Sequence, residues 1–419
     1  MSGAGQDATS GADQGQRLSA MLADLEELVV CESFSADLDA VARSADLVAA
    51  QGARHLGAEP ERIVVDGVTH LRWTFGAPRV LLLGHHDTVW PTGSLATHPW
   101  SVTDGVARGP GIFDMKAGLV QMFHALASLP SLDGVCVLVT GDEEVGSDTS
   151  RALIEETARS CAATFVLEAS ADGGALKTGR KGTSGYELVV HGRAAHSGLE
   201  PEKGVNAAIE AAHLTLALDE VAADVNVDAA EGWCTTVTPT VVAAGSTTNT
   251  VPATATVSVD VRVPTLAAQA KVDVALHALT TTVPGARLEV RGGPNRPPLE
   301  ESASADLFRR ASAVAQRQGL LPLSSAAVGG ASDGNFTAGL GCPTLDGLGA
   351  VGGGAHADHE HVIVAEMPVR ARLLAALVAE VAGHAGHAGH AGVAGVAGVA
   401  GVARHAEADG VAEADGGVR

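Results

Sequence analysis

The sequence predicts an α/β protein in which a domain built on a parallel sheet carries an inserted ferredoxin-like α+β module. Three observations support this prediction. Short unbroken apolar runs alternate with helix-like segments in the first half of the chain, the runs give way to apolar–polar alternation near Gly182, and helix-like segments return after about residue 293. Apolar runs between helices indicate βαβ units, whereas alternation indicates strands with one exposed face.

Three apolar runs predict strands that are buried on both faces, because they are rich in Val and Leu and do not alternate. They are RVLLLG (79–84), GVCVLVTG (134–141) and ATFVLEA (163–169). Helix-like segments over 114–129 and 150–160 separate them. This order predicts a parallel sheet.

The region 184–291 reads β-α-β-β-α-β, the order of a ferredoxin-like unit. Its helices are predicted at Asn206–Val221 and Leu266–Leu279. Helices predicted at Ala305–Gln318 and Pro368–Val381 would complete the first domain. The predicted boundaries are a disordered leader (1–16), the catalytic domain in two parts (17–181 and 293–382), the inserted lid or dimerisation domain (182–292) and a low-complexity tail (383–419).

The tail repeats Ala and Gly with His or Val and cannot build a packed core. Its histidines His384, His387 and His390 would chelate metal weakly, although compositional drift explains the repeat equally well.

Composition excludes several classes of protein. The formal net charge of −22 argues against nucleic-acid or anionic-membrane partners, which need clustered Lys and Arg. No apolar stretch approaches the roughly 20 residues of a membrane span. The five cysteines are scattered, and the N-terminus has no apolar signal region. We therefore expect a reducing, cytoplasmic location.

Chemically useful side chains follow all three predicted strands. His85 and Asp87 follow the first, Glu143 and Glu144 the second, and Glu168 the third. Ligands of open parallel sheets bind outside the carboxyl ends of the strands, so these groups should meet at one edge.

Two further groups fit the same edge: Asp114, after a glycine-rich turn, and His356, in GGGAHADHEHV. Imidazoles mixed with carboxylates suit zinc, cobalt or manganese. Five protein ligands are too many for one catalytic zinc with an open position, but they suit two metals bridged by a carboxylate and a water.

Each of these residues also has an ordinary interpretation. His85 alone fits a core histidine, Asp114 a helix N-cap, Glu168 a chance polar residue, and adjacent glutamates a solvated turn. The ligand in the last loop could be His359 or His361 instead of His356. His86 could compete with His85, but alternation of side chains along a strand favours a His86 that points away. Their joint placement at successive strand ends favours the metal site.

Several segments together resemble the dinuclear-zinc aminoacylase/carboxypeptidase family of metallopeptidases (clan MH), and most closely its glutamate carboxypeptidase branch. They are LLGHHDTVWPTGSLATHPW, ARGPGIFDMKAG, TGDEEVGS, SGYELVVHGRAAHSGLEPEKGVNAA, TTNTVPATATVSVDVR, GGASDGNF and GAHADHEHV. The resemblance covers about residues 18–382.

The resemblance implies a role for each residue. The metals would be held by His85 with Glu168 and by Glu144 with His356, with Asp114 as the bridge. Asp87 would orient His85, and Glu143 would be the general base that activates the bridging water.

The resemblance also implies a substrate site. His196 would stabilise the oxyanion, in many relatives across a homodimer, while Arg262, Asn249 and the Gly330 loop would hold the substrate carboxylate. Without the resemblance, His196 is an exposed loop histidine, Arg262 an ordinary strand arginine and the glycine-rich stretch a flexible loop.

The predicted function is therefore a two-metal hydrolase, most simply a zinc carboxypeptidase, acting on an amide next to a free carboxylate of a small N-acyl amino acid or peptide. An N-acyl-amino-acid deacylase of the acetylornithine deacetylase or succinyl-diaminopimelate desuccinylase type, or an aminopeptidase, is the alternative. A non-catalytic metal-binding protein would not need Glu143 as a base.

Overall fold

A computed structural model of the chain describes residues 4–227 and 232–383, with side chains from residue 15 onward. The α-helices are α1 (Ala4–Val30), α2 (Leu38–Leu56), α3 (Ala117–Ala127), α4 (Arg151–Arg159), α5 (Ala207–Val225), α6 (Leu266–His277), α7 (Glu301–Arg317), α8 (Gly334–Gly339) and α9 (Met367–Ala382). The strands β1–β8 are Glu61–Val65, Val68–Phe75, Val80–His85, Ser101–Thr103, Val106–Arg108, Val135–Thr140, Ala163–Val166 and Leu176–Arg180. The strands β9–β16 are Gly182–His191, Thr236–Ala244, Thr254–Val263, Arg287–Arg296, Ser325–Val328, Thr344–Leu345, Gly352–Gly353 and His361–Ile363.

The first domain is built on a six-stranded sheet in the order β1-β2-β6-β3-β7-β14. The strands β6, β3, β7 and β14 run parallel, and β1 and β2 add an antiparallel edge. The three predicted apolar runs form the adjacent strands β6, β3 and β7. Their carboxyl ends therefore lie at one edge of the sheet.

Both faces of this sheet are covered, which explains why its strands do not alternate between apolar and polar residues. Leu82 and Val137 face a core that also contains residues of α1, α2, α3, α7 and α9. Leu81 and Leu83 face a smaller cluster with residues of α4 and α8, such as Ile154. Side chains of successive strand residues point to opposite faces, so one apolar run fills both cores.

The second unit is an antiparallel sheet in the order β10-β11-β9-β12, with α5 and α6 packed on it. The chain order β-α-β-β-α-β with this strand order is the ferredoxin-like arrangement. Val257, Val259, Val261 and Val263 of β11 alternate with half-buried residues and face the helices. The predicted α/β class is confirmed, whereas the lid or dimerisation role of this unit stays a prediction.

The start of the chain differs from expectation. Residues 4–16, predicted to be a disordered leader, belong to α1, whose later turns bury Met21, Leu25 and Leu28. Once those turns are anchored, each residue added before them costs little, because it gains one backbone hydrogen bond. The helices α1 and α2 and the strands β1 and β2 were not predicted. The tail histidines His384, His387 and His390 lie outside the described residues.

Among the described residues, no helix combines the length and apolar character that crossing a membrane requires.

Candidate metal centre

Parallel strand ends bring the candidate ligands together. His85 is the last residue of β3, Glu143 and Glu144 form the turn after β6, and Glu168 follows β7 by two residues. Asp114 comes from the turn before α3, and its peptide bond to Met115 is cis. That turn opens with Gly109 and Gly111 at positive φ, where a Cβ on Gly111 would lie 2.3 Å from Thr88.

His85 lies between two carboxylates. Its Nε2 atom is 3.4 Å from Asp114 Oδ1 and 3.3 Å from Glu168 Oε1, and its side chain is almost fully buried. The other ring nitrogen, Nδ1, is 3.0 Å from the backbone carbonyl oxygen of Asp87. In the neutral imidazole, donation from Nδ1 to that carbonyl leaves Nε2 with a free lone pair, which is the state that a metal ligand requires.

His356 repeats the pattern on the other side of Asp114. Its Nε2 atom is 3.3 Å from Asp114 Oδ2 and 3.1 Å from Glu144 Oε2. The two oxygens of Asp114 thus face different imidazoles, as a bridging carboxylate would. His361 instead turns its Nδ1 towards the carbonyl of His359, 2.9 Å away, so His356 is the histidine of this loop that meets the carboxylates.

The residues fit a metal pair by two criteria. Donor atoms on one tetrahedral ion with bonds of 2.0–2.1 Å lie roughly 3.3 Å apart, and the His–carboxylate separations here are 3.1–3.4 Å. Within the described residues, His85 Nε2, Asp114 Oδ1 and Glu144 Oε1 are also buried without a hydrogen-bond partner. Such atoms carry a large desolvation cost unless a ligand satisfies them.

Asp87 contacts both His85 and the turn that carries Glu143 and Glu144. Its Oδ1 lies 3.4 Å from His85 Nδ1, and its two oxygens accept hydrogen bonds from the backbone N–H groups of Glu143 and Glu144 at 3.2 Å. The hydroxyl of Ser35 donates to it at 2.7 Å. Asp87 therefore positions the turn as well as the imidazole, a contact that the sequence did not predict.

Glu143 pairs with a cation, and its carboxylate also lies within 4.8 Å of the ligand atoms of His85 and Glu168. Its Oε1 lies 3.0 Å from Arg296 Nη2, and the same nitrogen donates to the Glu143 carbonyl at 3.0 Å and to Ser147 Oγ at 2.6 Å. The neighbours Glu143 and Glu144 thus have different partners, which argues against the simple solvated turn.

A second arginine supports Glu168. Arg180 Nη2 lies 3.4 Å from Glu168 Oε2, and Arg180 Nε donates to Asp346 at 2.7 Å. Arg180 Nη1 donates to the carbonyls of Gly330 and Ala331 at 3.1 Å. One buried guanidinium therefore connects a candidate ligand with the loop expected to hold substrate.

Burial and charge set the ionisation of the ligands. Burial lowers the pKa of His85, but Asp114, Asp87 and Glu168 outweigh it and raise that pKa well above its usual value. Contacts with Asp114 and Glu144 raise the pKa of His356 to about 10.

The glutamates respond to the same burial. Burial raises the pKa of Glu144 to about 7, against the opposing contact with His356. Burial also raises the pKa of Glu143, and the charge of Arg296 opposes that rise.

Two alternatives that the sequence left open, an N-cap role for Asp114 and His86 as a competing ligand, do not match the contacts. Asp114 makes no capping hydrogen bond to α3, whose N-cap position is Lys116. His86 turns away, because its Nε2 lies 3.1 Å from the carbonyl oxygen of Thr69. Burial lowers the pKa of His86 to about 4.

The residues expected to bind substrate, His196, Asn249 and Arg262, lie in the inserted module. His196 is exposed in the loop after β9, and its loop bonds to the segment of Asn249 through Ser197 N–H at 3.0 Å. Arg262 pairs bidentately with Asp260 at 2.9 and 3.0 Å. Their contacts join them to their own module and not to the ligands, so their roles stay predictions.

A second cluster with ligand-type side chains lies between α1, α2 and α3. Asp24 Oδ2 is 2.7 Å from both His55 Nε2 and His124 Nε2, and Asp24 Oδ1 accepts from Arg54 at 2.6 Å. Separations of 2.7 Å are hydrogen-bond distances and are shorter than the spacing of two ligands on one ion. This cluster is therefore a hydrogen-bonded contact between helices.

The sequence did not single out Arg180, Arg296 and Glu360, which contact Glu168, Glu143 and the backbone of Asp114. Glu360 lies inside the HADHEH stretch and Arg296 directly before two prolines. Arg296 is 153 residues from Glu143. Nothing in a local pattern signals contacts over such separations.

A parallel α/β sheet with imidazoles and carboxylates gathered at its carboxyl edge has the donor groups of a metal-dependent enzyme. Residues 81–380 match the group described as Peptidase family M20/M25/M40. The chain belongs to this family and is a metal-dependent peptidase or amidohydrolase, which confirms the family and enzyme class predicted from the sequence.

Relatives within the family differ in specificity. Carboxypeptidase G2 of Pseudomonas sp. (strain RS-16) is 30% identical over 385 residues, covering 86% of this chain and 89% of that protein. Succinyl-diaminopimelate desuccinylase of Wolinella succinogenes is 27% identical over 307 residues, covering 70% and 82%. The M20 family metallo-carboxypeptidase Sso-CP2 of Sulfolobus solfataricus has the same fold, with a TM-score of 0.68 at 17% identity over 86% of this chain and 99% of that one.

Proposed function

We propose that the protein is a two-metal carboxypeptidase of the glutamate carboxypeptidase type, which cleaves an amide or peptide bond next to a free carboxylate. The observation that carries this proposal is Asp114, whose two oxygens face His85 and His356 at 3.4 and 3.3 Å. The likeness to Carboxypeptidase G2 over 86% of the chain supports the carboxypeptidase branch.

The proposed metals are two divalent ions, zinc or alternatively cobalt. His85 with Glu168 would hold one ion, and His356 with Glu144 the other, with Asp114 shared between them. Metal ions at such a site acidify a water and polarise the scissile carbonyl.

Glu143 is the proposed proton carrier. As a carboxylate it accepts the proton of the attacking water, and as an acid it returns that proton to the leaving amine. Asp87 fixes the position of Glu143, because Asp87 Oδ1 accepts a hydrogen bond from the Glu143 backbone N–H at 3.2 Å. Burial raises the pKa of Glu143, which favours the acid form needed in the second half of the reaction.

Arg262 is the proposed reader of the substrate carboxylate, together with Asn249 and the Gly330 loop. A guanidinium grips a carboxylate bidentately, as Arg262 grips Asp260 here. The substrate carboxylate would take the place of the Asp260 side chain.

His196 is the proposed donor to the oxyanion. Its Nδ1 accepts hydrogen bonds from the backbone N–H groups of Gly198 and Leu199 at 3.1 and 3.2 Å. In the neutral ring the proton is therefore on Nε2. Because its contacts lie within its own module, we propose a homodimer in which His196 serves the site of the other subunit. Replacing His196 with Ala should then lower turnover without releasing metal. An unchanged rate would return His196 to an ordinary loop histidine.

An N-acyl-amino-acid deacylase is the second candidate, because the desuccinylase of Wolinella succinogenes covers 70% of the chain. Both reactions cleave an amide beside a carboxylate. We place either activity in the cytoplasm, because the cysteines are scattered and odd in number, which favours a reducing compartment.

The test is a substrate panel followed by mass spectrometry. Zinc- or cobalt-loaded protein is incubated with N-benzoyl and pteroyl glutamates, N-acetyl and N-succinyl amino acids, and dipeptides, with and without chelator. Chelator-sensitive release of glutamate supports the carboxypeptidase, and preferred cleavage of the acetyl or succinyl compounds supports the deacylase. Protein that holds two metals and cleaves none of these compounds would contradict both proposals.

A further inference from the structure

Glu360 is a buried carboxylate with four hydrogen-bond donors around it. It is 3% exposed. Its Oε1 accepts from the backbone N–H groups of Phe113 at 2.8 Å and Asp114 at 3.1 Å. Its Oε2 accepts from Gly111 N–H at 3.1 Å and from the indole of Trp90 at 2.6 Å. Among the described residues, this carboxylate has no hydrogen bond or ion pair with His85, His356 or Glu143, so it is not placed to touch a reacting atom.

The three backbone donors belong to the turn that carries Asp114. This turn is not a regular helix, because Gly111 lies at φ +68° and Asp114 itself has extended φ and ψ. Its N–H groups therefore lack the partners that a regular helix would give them. Glu360 supplies those partners and so sets the position of the Asp114 backbone.

Glu360 also lies in the loop of His356. The backbone N–H of Glu360 donates to the Ala357 carbonyl at 2.9 Å, which closes the loop directly after His356. His356 has φ +61°, and a Cβ on Gly354 would lie within 3.0 Å of the Glu360 backbone, so the loop is tightly packed. One carboxylate thus joins the segments of Asp114 and His356.

Trp90 extends the same connection to the segment that follows Asp87. Its indole N–H donates to Glu360 at 2.6 Å, close to the short end of the range for a charge-assisted bond. The segments of Asp114 and His356 and the segment that follows His85 and Asp87 therefore meet at one side chain that is not itself a ligand.

We propose that Glu360 is a positioning residue of the metal centre, which fixes the bridging Asp114 relative to His356 through backbone hydrogen bonds. This inference rests on the proposed two-metal site. Hydrogen-bonded groups behind metal ligands orient them, and their loss weakens metal binding by about 10- to 100-fold. The expected consequence is a loss of metal affinity with the ligands themselves intact.

The arrangement requires a carboxylate. Two oxygens offer about four lone-pair directions, and four donors occupy them here. A glutamine of the same shape turns an N–H₂ group towards one pair of donors and repels them. Glu360→Gln is thus a small change in volume with a large change in hydrogen bonding, and Glu360→Asp keeps the charge but withdraws it by one methylene.

The chain offers a matched control in Glu210 on α5. Glu210 is fully buried, and its carboxylate accepts hydrogen bonds from the backbone N–H groups of Thr282 at 2.9 Å and Val283 at 2.6 Å. Like Glu360, it holds a loop by its backbone, but in the inserted module and among no candidate ligands. Glu210→Gln therefore reports the general cost of losing such a carboxylate.

The experiment titrates Zn²⁺ into metal-free protein against a chromophoric chelator and records the visible spectrum of the Co²⁺ form. Wild type and Glu210→Gln should bind two ions with equal affinity. Glu360→Gln should bind at least one ion about 10- to 100-fold more weakly, with an altered Co²⁺ spectrum, and Glu360→Asp should lie between. Far-UV circular dichroism checks that each variant is folded.

The outcomes separate this inference from the function on which it rests. Wild-type protein that does not bind two metal ions contradicts the two-metal proposal itself. Wild type that binds two ions, with Glu360→Gln equal to it, overturns the role of Glu360 alone. Equal losses in Glu360→Gln and Glu210→Gln would also overturn it, since the effect would then be general destabilisation. If Glu360→Gln does not fold, Glu360→Asp decides, and wild-type affinity in that variant overturns the inference.

Discussion

The guanidinium of Arg296 lies 3.0 Å from the carboxylate of Glu143 and also donates to its backbone carbonyl. Arg296 is the last residue of β12, the final strand of the inserted sheet, whereas Glu143 follows β6 of the parallel sheet. The same guanidinium lies 3.1 Å from Asp333. The proposed proton carrier is therefore held by a residue from the boundary between the two units.

Removal of the Arg296 charge should shift the pH dependence of the enzyme. Burial raises the pKa of Glu143, and Arg296 counteracts that rise by favouring the carboxylate form. Without this charge the pKa rises further, so the base form is lost at a higher pH. We expect the acid limb of kcat/KM to move to higher pH in Arg296→Ala, with kcat reduced by about 100-fold because the base is also displaced.

The measurement is a pH–rate profile for wild type, Arg296→Ala and Arg296→Lys. Arg296→Lys keeps a positive charge, so its acid limb should stay near that of wild type. An unchanged acid limb in Arg296→Ala would contradict the prediction, because it would mean that Glu143 does not set this limb or that Arg296 does not influence the pKa of Glu143.

Replacement of Glu143 should separate chemistry from metal binding. Glu143 pairs with Arg296 at 3.0 Å, and its carboxylate lies within 4.8 Å of the ligand atoms of His85 and Glu168. Because the five proposed ligands remain in Glu143→Ala and Glu143→Gln, these variants should keep both metals. Turnover should fall by about 10²- to 10⁴-fold, the usual contribution of a general base. Metal content by mass spectrometry and steady-state rates check this, and wild-type rates would exclude Glu143 as the base.

Loss of Asp114 should release both metals together. Its two oxygens face His85 and His356, so its loss removes a carboxylate oxygen from both sides of the site. Since loss of a supporting residue already costs about 10- to 100-fold, we expect Asp114→Ala to weaken both ions by more than about 100-fold. Glu168→Ala, which removes a carboxylate from the His85 side alone, is the comparison. Release of a single equivalent from Asp114→Ala would contradict bridging.

The contact between α1, α2 and α3 should make stability depend on pH in the acid range. Burial raises the pKa of Asp24, but hydrogen bonds from His124 and His55 and the charge of Arg54 outweigh it and hold the pKa well below its usual value. The folded pKa is thus lower than the unfolded pKa of about 3.9. The stabilisation is present above that value and is lost as the pH falls through the folded pKa.

Asp24→Asn should therefore lower the free energy of unfolding at pH 7 by about 1–3 kcal/mol, with a flatter decline towards pH 3 than wild type. Urea unfolding at several pH values measures both effects. Asp219→Asn, an exposed position on α5, is the control. Metal content should not change in Asp24→Asn, and a loss of metal would show that the cluster is a metal site after all.

Much of the parallel sheet could be predicted from local patterns. The runs at 79–84, 134–141 and 163–169 are buried on both faces, so their composition is apolar throughout and can be recognised without a partner strand. Because the strands are parallel, their ends had to meet, and His85, Glu144 and Glu168 could be grouped in advance.

Other elements could not be predicted in this way. The helices α1 and α2 were not predicted. Residues 4–16, expected to be disordered, form the start of α1, whose later turns are anchored by Met21, Leu25 and Leu28. Propagation from an anchored turn overrides the weak local preference of a polar, glycine-containing stretch.

By itself, the sequence determined the α/β class, the family and the kinds of side chain at the strand ends. Strand burial follows from local composition, and strand direction follows from the alternation of strands with helices. Only the tertiary structure decided which histidine of the last loop meets Asp114, and that Arg296, Arg180 and Glu360 support Glu143, Glu168 and the Asp114 turn. These contacts join residues far apart in the chain, and hydrogen bonds and ion pairs depend on distance and direction in space. Composition and periodicity record which groups are present, but not which of them the folded chain brings within 3 to 4 Å of each other.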